Sequence, residues 1–465
     1  MSKVILKKRK PDPEPSAKPE GKAGFRTEAK TMVGGRPSRA PVRSAGAGAR
    51  PAQKTSTKPK AKPTEKPGHS IESVTPPKKG TYRYFAICPG NLEDVLRKEV
   101  EALPAKITGT YPGGVEFEGN LELGYLANLK LRSASRVLLL LRDFRKIFKP
   151  EELSIAIRQM DWPAVFDPSC TLAIYLTESR TKERRIPVNN QFWALKAKDA
   201  IVDQFREKTG ERPNIDRDDP DITIRLHLHD QRLRVYLDLS GPSLHERGYR
   251  GKTLEAPMKE NLAASLLLLV GWDEVCTKGI AFYDPFCGSG TLLIEAALIA
   301  TRTAPGLFRT RFGFFSWKEH DPEIYEKLFN RLKAERKLDR TKLPLIMGSD
   351  IDRSAVTIAK ENIRRAGMEE FVKLVVGPFE ATTPPHPKGL IVTNPPYGVR
   401  LNELESLVKV YEAIGSTFKH KYKGWTASVI TSEKKLVHAI GLKPSKKWTL
   451  YNGSLESQFL LFNLY

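Results

Sequence analysis

The second half of the sequence alternates between short apolar segments and longer amphipathic ones. From residue 259 it predicts helix KENLAASLLLLV, strand IAFYDPF, helix TLLIEAALIATR, strand LPLIMGSDID, helix SAVTIAKENIRRAG, and strands FVKLVVG and GLIVTNPPYG. A further helix, LESLVKVYEAIGSTFKHK, precedes strands WTASVIT, WTLYNGS and SQFLLFNLY. Such an alternation is typical of a parallel sheet covered by helices. The pattern therefore predicts an α/β domain over residues 249–465.

A glycine-containing segment, DPFCGSGT, follows the first predicted strand of this domain. Gly288 and Gly290 allow a tight turn and a close approach to a ligand, and the next helix offers free N–H groups. The segment matches neither the G-x-x-x-x-G-K-[ST] phosphate loop nor the G-x-G-x-x-G fingerprint, which argues against ATP and NAD. By itself it indicates a ligand-binding loop or simply a tight turn.

Two acidic residues, Asp350 and Asp352, follow the second predicted strand. An acid at this position can accept hydrogen bonds from ribose hydroxyls. Asp352 is equally suited to be the N-cap of the next helix. Both interpretations stay open at the level of the sequence.

The segment Asn394-Pro395-Pro396-Tyr397 follows the fourth predicted strand. Two prolines cannot continue a sheet ladder, so the strand must end there with its last polar groups facing the crevice. The Asn394 carboxamide oxygen and the Pro395 carbonyl then become fixed acceptors, and Tyr397 offers a flat ring beside them. This arrangement suits a planar exocyclic amine, whose hydrogens the acceptors would hold.

Two small α+β patterns precede the α/β domain, over residues 81–148 and 149–248. The second ends in strands DITIRLHLHD and RLRVYLDLS, and the two residues between them predict a hairpin turn. It also contains the run SRTKERR, with the basic residues Arg180, Lys182, Arg184 and Arg185. Basic side chains followed by aromatic ones suit unpaired RNA, although a solvated loop explains the run equally well.

Residues 1–80 differ from the rest of the chain in composition. They contain 20 Lys or Arg, 6 Asp or Glu, 12 prolines and a single aromatic residue, Phe25. A segment so poor in apolar residues cannot offset the entropy of ordering and is predicted to be disordered. Together with the formal charge of +23 for the whole chain, this tail indicates a polyanionic partner, of which nucleic acid is the most common.

Several classes of protein are excluded by the sequence. The longest apolar stretch, Leu262–Trp272, is shorter than the ~18–20 residues of a membrane span, and the charged N-terminal residues do not resemble a signal peptide. Four widely spaced cysteines without a C-x-x-C pair indicate neither disulfides nor zinc, and His227 and His229 have no third ligand in view. We therefore expect a cytoplasmic protein without metal or membrane partner.

The three motifs of the α/β domain resemble those of the UPF0020 family of class I S-adenosylmethionine-dependent methyltransferases, which methylate guanine N2 in RNA. SGPSLHERGYR and APMKENLAASLL resemble the entry segment of that family, and residues 81–245 resemble its ferredoxin-like and THUMP RNA-binding module. The resemblance extends over residues 81–465 and is greatest to the bacterial 23S ribosomal RNA guanine-N2 methyltransferases. It implies a Rossmann-like methyltransferase domain at 249–465, a ferredoxin-like domain at 81–148, a THUMP-like domain at 149–248 and a disordered tail at 1–80.

The resemblance also implies roles for individual residues. Asn394, Pro395, Pro396 and Tyr397 would hold the target base, and S-adenosylmethionine would contact Asp284, Phe286, Gly288, Gly290, Thr291, Asp350, Asp352 and Phe379. The sequence departs from the family where an aspartate often follows the third strand, because it reads Gly377-Pro378-Phe379-Glu380. The adenine amine then loses a side-chain acceptor, and Phe379 would supply stacking or a backbone contact instead.

Four alternatives stay open. A tRNA guanine-N2 methyltransferase would use the same chemistry, and N-P-P-Y also serves DNA adenine-N6 or cytosine-N4 methyltransferases and the glutamine-N5 methyltransferases of release factors. The THUMP-like region argues against the last two. A non-catalytic RNA-binding assembly protein is the fourth, supported only by the departure at Pro378. The oligomeric state is not predicted.

Overall fold

The computed structural model describes residues 71–73, 80–179, 189–251, 258–397, 404–453 and 455–465. These residues all belong to one compact unit. Most of the tail predicted to be disordered, and the basic run from Arg180 to Arg185, lie outside the described residues. Among the described residues, no helix is long and apolar enough to cross a membrane.

The first part of the described chain forms a mixed sheet with helices α1 (Glu93–Glu101), α2 (Leu121–Lys130), α3 (Pro150–Arg158) and α4 (Asn190–Thr209). Its strands are β1 (Glu72–Ser73), β2 (Tyr82–Ile87), β3 (Lys106–Tyr111), β4 (Gly114–Gly119), β5 (Arg136–Arg145), β6 (Leu172–Ser179), β7 (Ile222–His229) and β8 (Arg232–Asp238). The order across the sheet is β3-β4-β2-β5-β8-β7-β6, and β1 pairs with one end of β5. The predicted hairpin turn is confirmed: it joins β7 to β8, and Asp230 has a φ of 52°.

The sequence indicated two separate α+β patterns, but their strands form one continuous sheet. β5 is ten residues long and has two neighbours, because its first half pairs with β2 and most of its length pairs with β8. Leu139 illustrates the connection, since it lies opposite Tyr84 on one side and Leu237 on the other. The two patterns are therefore joined by backbone hydrogen bonds as well as by packing.

The second part of the chain has the α/β architecture that the alternating pattern predicts. Its helices are α5 (Glu260–Leu269), α6 (Trp272–Val275), α7 (Thr291–Ala300), α8 (Pro322–Ala334), α9 (Arg353–Arg365), α10 (Leu404–Lys421) and α11 (Lys434–Ala439). Its strands are β9 (Ala281–Asp284), β10 (Ile346–Asp350), β11 (Val372–Val376), β12 (Gly389–Thr393), β13 (Thr426–Thr431), β14 (Lys446–Asn452) and β15 (Leu455–Asn463).

The strand order of this second sheet is β11-β10-β9-β12-β13-β15-β14. The strands from β11 to β13 are parallel, and β15 is antiparallel to both of its neighbours. The chain enters the sheet at the central strand β9 and then builds outward in one direction before crossing to β12. Ligands of such folds bind beyond the carboxyl ends of the strands at this switch point, which lies between β9 and β12.

Buried arginines connect the two parts of the chain. Arg247 donates hydrogen bonds of 2.6 Å to the carbonyls of Leu244 and Arg132, and its Nε lies 3.5 Å from Glu295 Oε1 on α7. Tyr249 donates to the same Glu295 oxygen over 3.1 Å. Arg309 donates from its two terminal nitrogens to carbonyls between residues 240 and 246. These contacts hold the segment that leads from the first sheet into the second.

Candidate active site

Asp284 ends β9 at the switch point and is almost fully buried. Thr393 Oγ1, at the end of β12, donates a 2.7 Å hydrogen bond to its Oδ1, and the Phe286 amide donates to the same oxygen over 3.2 Å. Burial raises the pKa of Asp284 to about 7, and the nearby Asp350 carboxylate acts in the same direction. Both hydrogen bonds come from neutral donors, so they do not neutralise the charge of the ionised carboxylate. A cationic ligand would do so.

The glycine segment turns sharply from β9 into α7. Gly288 and Gly290 have φ values of 51° and 83°, a backbone region that side chains with a Cβ rarely adopt. At Gly290 a Cβ would also lie 3.1 Å from the Cβ of Ala359. The Gly288 amide donates a 2.9 Å hydrogen bond to Asp350 Oδ2, so strand β10 fixes the shape of the turn.

The two acids after β10 have different partners. Asp350 accepts the Gly288 amide on one oxygen and the Asp352 amide, over 3.0 Å, on the other. Asp352 is the N-cap of α9, because it accepts 2.8 Å hydrogen bonds from the amide and the hydroxyl of Ser354. These bonds lower the pKa of Asp352. The cap interpretation of Asp352 is thus confirmed, whereas Asp350 is the acid that contacts the glycine turn.

Asn394 follows directly after β12. Its Oδ1 is buried and accepts no hydrogen bond from any described residue. A buried carboxamide oxygen without a donor is costly, by about 1–3 kcal/mol, unless a ligand or water supplies one. An unsatisfied acceptor at the wall of a cavity is therefore the strongest indication of a bound donor in this part of the chain.

The other residues of the N-P-P-Y segment lie in different surroundings. Pro396 is exposed and lines the same cavity as Asn394, whereas Pro395 is buried and does not line it. Tyr397 also lies outside the cavity wall, because its ring packs in the hydrophobic cluster beside β13 and its hydroxyl accepts a 3.0 Å hydrogen bond from Asn452 Nδ2. Burial raises the pKa of Tyr397. The structure therefore does not bring the predicted stacking ring to the cavity.

A cavity of about 490 Å³ lies beyond the carboxyl ends of β9, β10 and β12. Of the residues predicted to bind ligands, it is lined by Asp284, Phe286, Gly288, Thr291, Asp350, Asp352, Phe379, Asn394 and Pro396. Gly290 is not in the lining; it acts on the site only by shaping the turn. Residues from all of the predicted motifs of the α/β domain, which are far apart in sequence, thus line one cavity.

Sequence reasoning missed part of the lining, including Met258, Ile351, Glu380, Val410 and Ile414. Ile351 is 72% exposed, which is unusual for an isoleucine and leaves an apolar surface at the rim of the cavity. Its position between two acidic residues that follow a buried strand could have identified it. Val410 and Ile414, on α10, could not have been identified from the sequence in this way, because only the tertiary fold brings that helix over the cavity.

The departure from the family pattern after β11 has a clear structural role. Phe379 is buried at the cavity wall, with its ring centroid 6.1 Å from those of Phe286 and Tyr283 and 5.4 Å from that of Tyr422. An aromatic cluster therefore forms this side of the cavity. It offers a planar ligand an apolar contact where a carboxylate would offer a hydrogen bond.

Comparisons with known proteins agree with this architecture. The UPF0020 family model, described as the RMKL-like methyltransferase domain, matches residues 247–459. The models of the RlmL ferredoxin-like domain and of the THUMP domain match residues 83–138 and 149–238. The crystal structure of SMU.472 complexed with SAH is 31% identical, with a TM-score of 0.73 over 83% of this chain and 99% of that one. The chain belongs to the UPF0020 methyltransferase family.

Relatives within and around the UPF0020 family carry different names. The ribosomal RNA large subunit methyltransferase K/L of Methylococcus capsulatus is 41% identical over 384 residues, which cover 83% of this chain and 51% of the relative. This chain spans about half the length of the curated relatives it matches. A Listeria monocytogenes protein described as a predicted N6-adenine-specific DNA methylase is 27% identical, with a TM-score of 0.72 over 83% of this chain and 97% of that one.

The UPF0020 domain and the preceding sheet offer no cluster of three or more metal-ligating side chains among the described residues. The two histidines noted in the sequence lie on β7, and Ser179 Oγ lies within hydrogen-bond distance of both, at 3.1 Å from His227 Nε2 and 2.9 Å from His229 Nδ1. Their nearest polar neighbour is thus a serine hydroxyl. The four basic residues predicted to contact RNA lie in the run outside the described residues.

Proposed function

We propose that this chain transfers a methyl group from S-adenosylmethionine to the exocyclic N2 amine of a guanine in RNA, with ribosomal RNA of the large subunit as its substrate. The observation that carries the proposal is the buried, unsatisfied Asn394 Oδ1 in the wall of the cavity at the switch point. The names of the relatives and the THUMP match support RNA as the substrate. A cytoplasmic location belongs to the same proposal.

The lining of the cavity fits S-adenosylmethionine. Asp284, buried among neutral donors, suits the ammonium of the methionine part, and the carboxylate of Asp350 suits ribose hydroxyls. Phe286, Ile351 and Phe379 provide apolar surface for the adenine ring. The volume of about 490 Å³ is in the range typical of small-molecule sites. When bound, the cofactor supplies a methyl group attached to a positively charged sulfur.

The residues of this chain then act mainly by positioning the target amine. Asn394 Oδ1 would accept one hydrogen bond from the amine. The sequence assigns the second one to the carbonyl of Pro395, which follows Asn394 directly but does not itself line the cavity. These acceptors polarise the N–H bonds and turn the nitrogen lone pair toward the methyl group for an in-line displacement. The nitrogen would form its bond to the methyl carbon as the carbon–sulfur bond breaks, and the electron pair of that bond would stay with the sulfur. The nitrogen then carries a positive charge and would release one proton to water. A strong general base is not required, because an exocyclic guanine amine that has gained a methyl group holds this extra proton only weakly.

A guanine in a paired stem must leave the stack before it can enter the cavity, which costs a few kcal/mol. Pro396 lies at the exposed rim and Asn394 deeper in the wall, so the base would enter past Pro396. Tyr397, predicted to stack on the base, packs outside the cavity and would instead support the N-P-P-Y segment that holds the base. Its hydrogen bond to Asn452 fixes the end of the N-P-P-Y turn.

The direct test is a methyl-transfer assay with the purified chain. Radiolabelled S-adenosylmethionine is supplied with large-subunit ribosomal RNA from a strain that lacks the gene, and in parallel with tRNA and with duplex DNA. The expected product is N2-methylguanosine in the ribosomal RNA, identified by mass spectrometry of the nucleosides. Methylation of tRNA alone, of adenine in DNA, or of no nucleic acid would contradict the proposal and would favour one of the alternatives above.

Replacing Asp350 with alanine is expected to weaken S-adenosylmethionine binding by about 1–3 kcal/mol, because a charged hydrogen bond to ribose is lost and the Gly288 amide loses its acceptor. Calorimetric titration measures the change. Asp352→Ala is the comparison: it removes the cap of α9 at a cost of about 1 kcal/mol of stability and should weaken cofactor binding less than Asp350→Ala, because the Asp352 carboxylate already accepts two hydrogen bonds from Ser354. The opposite ranking of the two variants would move the ribose contact to Asp352.

Cofactor affinity is also expected to depend on pH. Because burial raises the pKa of Asp284 to about 7, the ligand-free protein holds this carboxyl protonated at pH 6 and ionised at pH 8. The cofactor ammonium pairs with the ionised form, so binding should be about tenfold weaker at pH 6 than at pH 8. Asp284→Asn should bind weakly at both pH values. A flat profile for the unmodified protein would show that Asp284 does not contact a cation.

A further inference from the structure

We infer that the sheet face turned away from helices α1, α2 and α4 is a binding platform for single-stranded RNA. This open face comprises alternate residues of the strands from β3 to β6, including Tyr111, Phe85, Tyr236, Arg225 and Tyr175. The inference rests on the proposed function in taking RNA as the ligand. It adds the place on the protein where unpaired nucleotides outside the catalytic cavity are held.

The pairing register places these residues on one side of the sheet. Directly opposed residues of neighbouring strands point to the same face. Phe85 lies opposite Leu138, Leu138 opposite Asp238, and Arg225 lies between Tyr236 on β8 and Tyr175 on β6. The alternate residues point the other way: Tyr84 and Ala86 of β2 are buried in the hydrophobic core, as are Val115 and Phe117 of β4. Helix α1 packs against β3 and β4, α2 against β5, and α4 against β6, and these helices cover that second face.

The charges on the open face are arranged in two layers. Its carboxylates are Glu116, Glu118, Asp143 and Asp238, and its cations are Arg83, Lys106, Arg136, Arg225, Arg232 and Arg234. The carboxylate side chains are between 0% and 15% exposed, whereas the cations are between 16% and 79% exposed. The carboxylates thus lie beneath the basic side chains, and the basic side chains are the more exposed to solvent.

Two arginines converge on Asp238, which illustrates this layering. Arg136 Nη1 and Arg225 Nε each lie 2.7 Å from the same Asp238 oxygen, Oδ2. One negative charge cannot neutralise two positive ones, so an excess of positive charge remains where the guanidinium groups meet solvent. Such a group can still donate to a phosphate oxygen through the nitrogens that do not contact the aspartate.

Aromatic rings form a row across the strands of the same face. The ring centroids of Tyr111 and Phe85 are 6.4 Å apart, and those of Phe85 and Tyr236 are 6.3 Å apart. Arg225, opposite Tyr236, lies over the ring of Tyr175 at 5.2 Å. Tyr111 and Tyr175, at the two ends of the row, are 41% and 38% exposed, whereas Tyr236 between them is 4% exposed, so the two end rings are the ones that bases can reach. They lie on the two outermost strands of this sheet, β3 and β6, about 30 Å apart across seven strands.

This combination fits single-stranded RNA better than other occupants. Exposed rings accept unpaired bases by stacking, and adjacent arginines follow the phosphates, which is how sheet surfaces bind single strands. A duplex keeps its bases stacked inside and could use only the charges. The segment of this chain before residue 81 is itself strongly basic, so charge repulsion disfavours it as the occupant of a positive face.

The test measures binding of fluorescently labelled oligouridine, and of an RNA duplex of equal length, to the full chain without cofactor. Tyr111→Ala and Tyr175→Ala are each expected to weaken binding of the single strand about fivefold or more, with little change for the duplex. Tyr111→Phe and Tyr175→Phe should retain affinity, because the rings remain. Both tyrosines are exposed, and melting temperatures equal to that of the unmodified protein verify that the alanine variants fold.

Tyr451→Ala is the matched control, since Tyr451 is a tyrosine of similar exposure, 39%, on β14 of the second sheet. It should bind oligouridine like the unmodified protein. Unchanged affinity in the Tyr111/Tyr175 double variant would overturn the inference, and so would an equal loss for the duplex or a larger loss in Tyr451→Ala. The last result would place RNA on the second sheet instead.

Methyl transfer, assayed on the same preparations, separates this inference from the proposed function. If the unmodified protein methylates RNA while the double variant binds oligouridine normally, the platform is wrong and the function stands. If oligouridine binding depends on the two tyrosines but no RNA is methylated, the platform stands and the function is wrong.

Discussion

Asn394→Ala should lose methyl transfer almost completely while its affinity for S-adenosylmethionine stays within a few-fold of normal. Asn394 Oδ1 is a buried acceptor at the cavity wall that receives no hydrogen bond from the part of the chain that the structure describes, so its expected partner is the target amine. Removing one preorganised group of this kind from an active site typically lowers kcat by about 10²–10³-fold. Single-turnover assays at saturating RNA, together with calorimetric titration of the cofactor, measure the two quantities separately.

Asn452→Ala is a suitable control for this variant. It removes the hydrogen bond to the Tyr397 hydroxyl but leaves the Asn394 carboxamide in place, so its loss of activity should be much smaller. Near-normal turnover of Asn394→Ala at saturating RNA would show that the N-P-P-Y assignment is wrong. A large loss of cofactor affinity would instead place Asn394 in the cofactor site.

Arg247→Met should destabilise the protein by about 3–5 kcal/mol, the largest stability change that we expect from a single substitution. Arg247 is almost fully buried and faces Glu295, which is buried on α7. Removing the cation leaves the buried Glu295, among the described residues, with the Tyr249 hydroxyl as its hydrogen-bond donor and Arg132 as its nearby cation, and breaking a buried pair in this way is costly. Urea denaturation, monitored by circular dichroism, gives the free energy of unfolding.

Two further variants make this prediction specific. Arg331→Met removes an exposed ion pair with Glu122, which also joins the two parts of the chain, and it should cost less than about 1 kcal/mol. The double variant Arg247→Met/Glu295→Leu removes both buried charges and should recover much of the lost stability, because apolar replacement of a buried pair is often nearly neutral. If the double variant is no more stable than Arg247→Met, the destabilisation comes from the lost carbonyl contacts.

The periodicity of the sequence predicted the strands of the second sheet well, because they contain apolar runs. Helices α6, α8 and α11 were missed. Helix α8 could have been found, because Asp321 caps it and Pro322 occupies its first position, a combination that marks helix starts. The continuity of the first sheet was missed for a different reason. Periodicity shows which face of β5 is buried but not that its second neighbour is β8, roughly ninety residues later in the chain.

The sequence predicted the site residues that lie at or directly after the end of a strand. Asp284, Asp350 and Asn394 follow three strands whose carboxyl ends meet, so their convergence follows from topology alone. Tyr397 shows the limit of such reasoning. Its neighbours in sequence indicate a ring beside the acceptors, but the hydrogen bond to Asn452 depends on a strand more than fifty residues away.

The sharing of β5 between two modules has a mechanical consequence. Backbone hydrogen bonds along both edges of this strand join the residues matched by the ferredoxin-like and THUMP models into one sheet, and Arg247 and Arg309 hold the segment that leads from this sheet to the methyltransferase sheet. The two modules cannot bend relative to each other at β5 without breaking these hydrogen bonds. Under the proposed function, the first sheet would therefore hold an RNA segment at a set distance from the reacting nucleotide, and the fold of the RNA would have to match that distance.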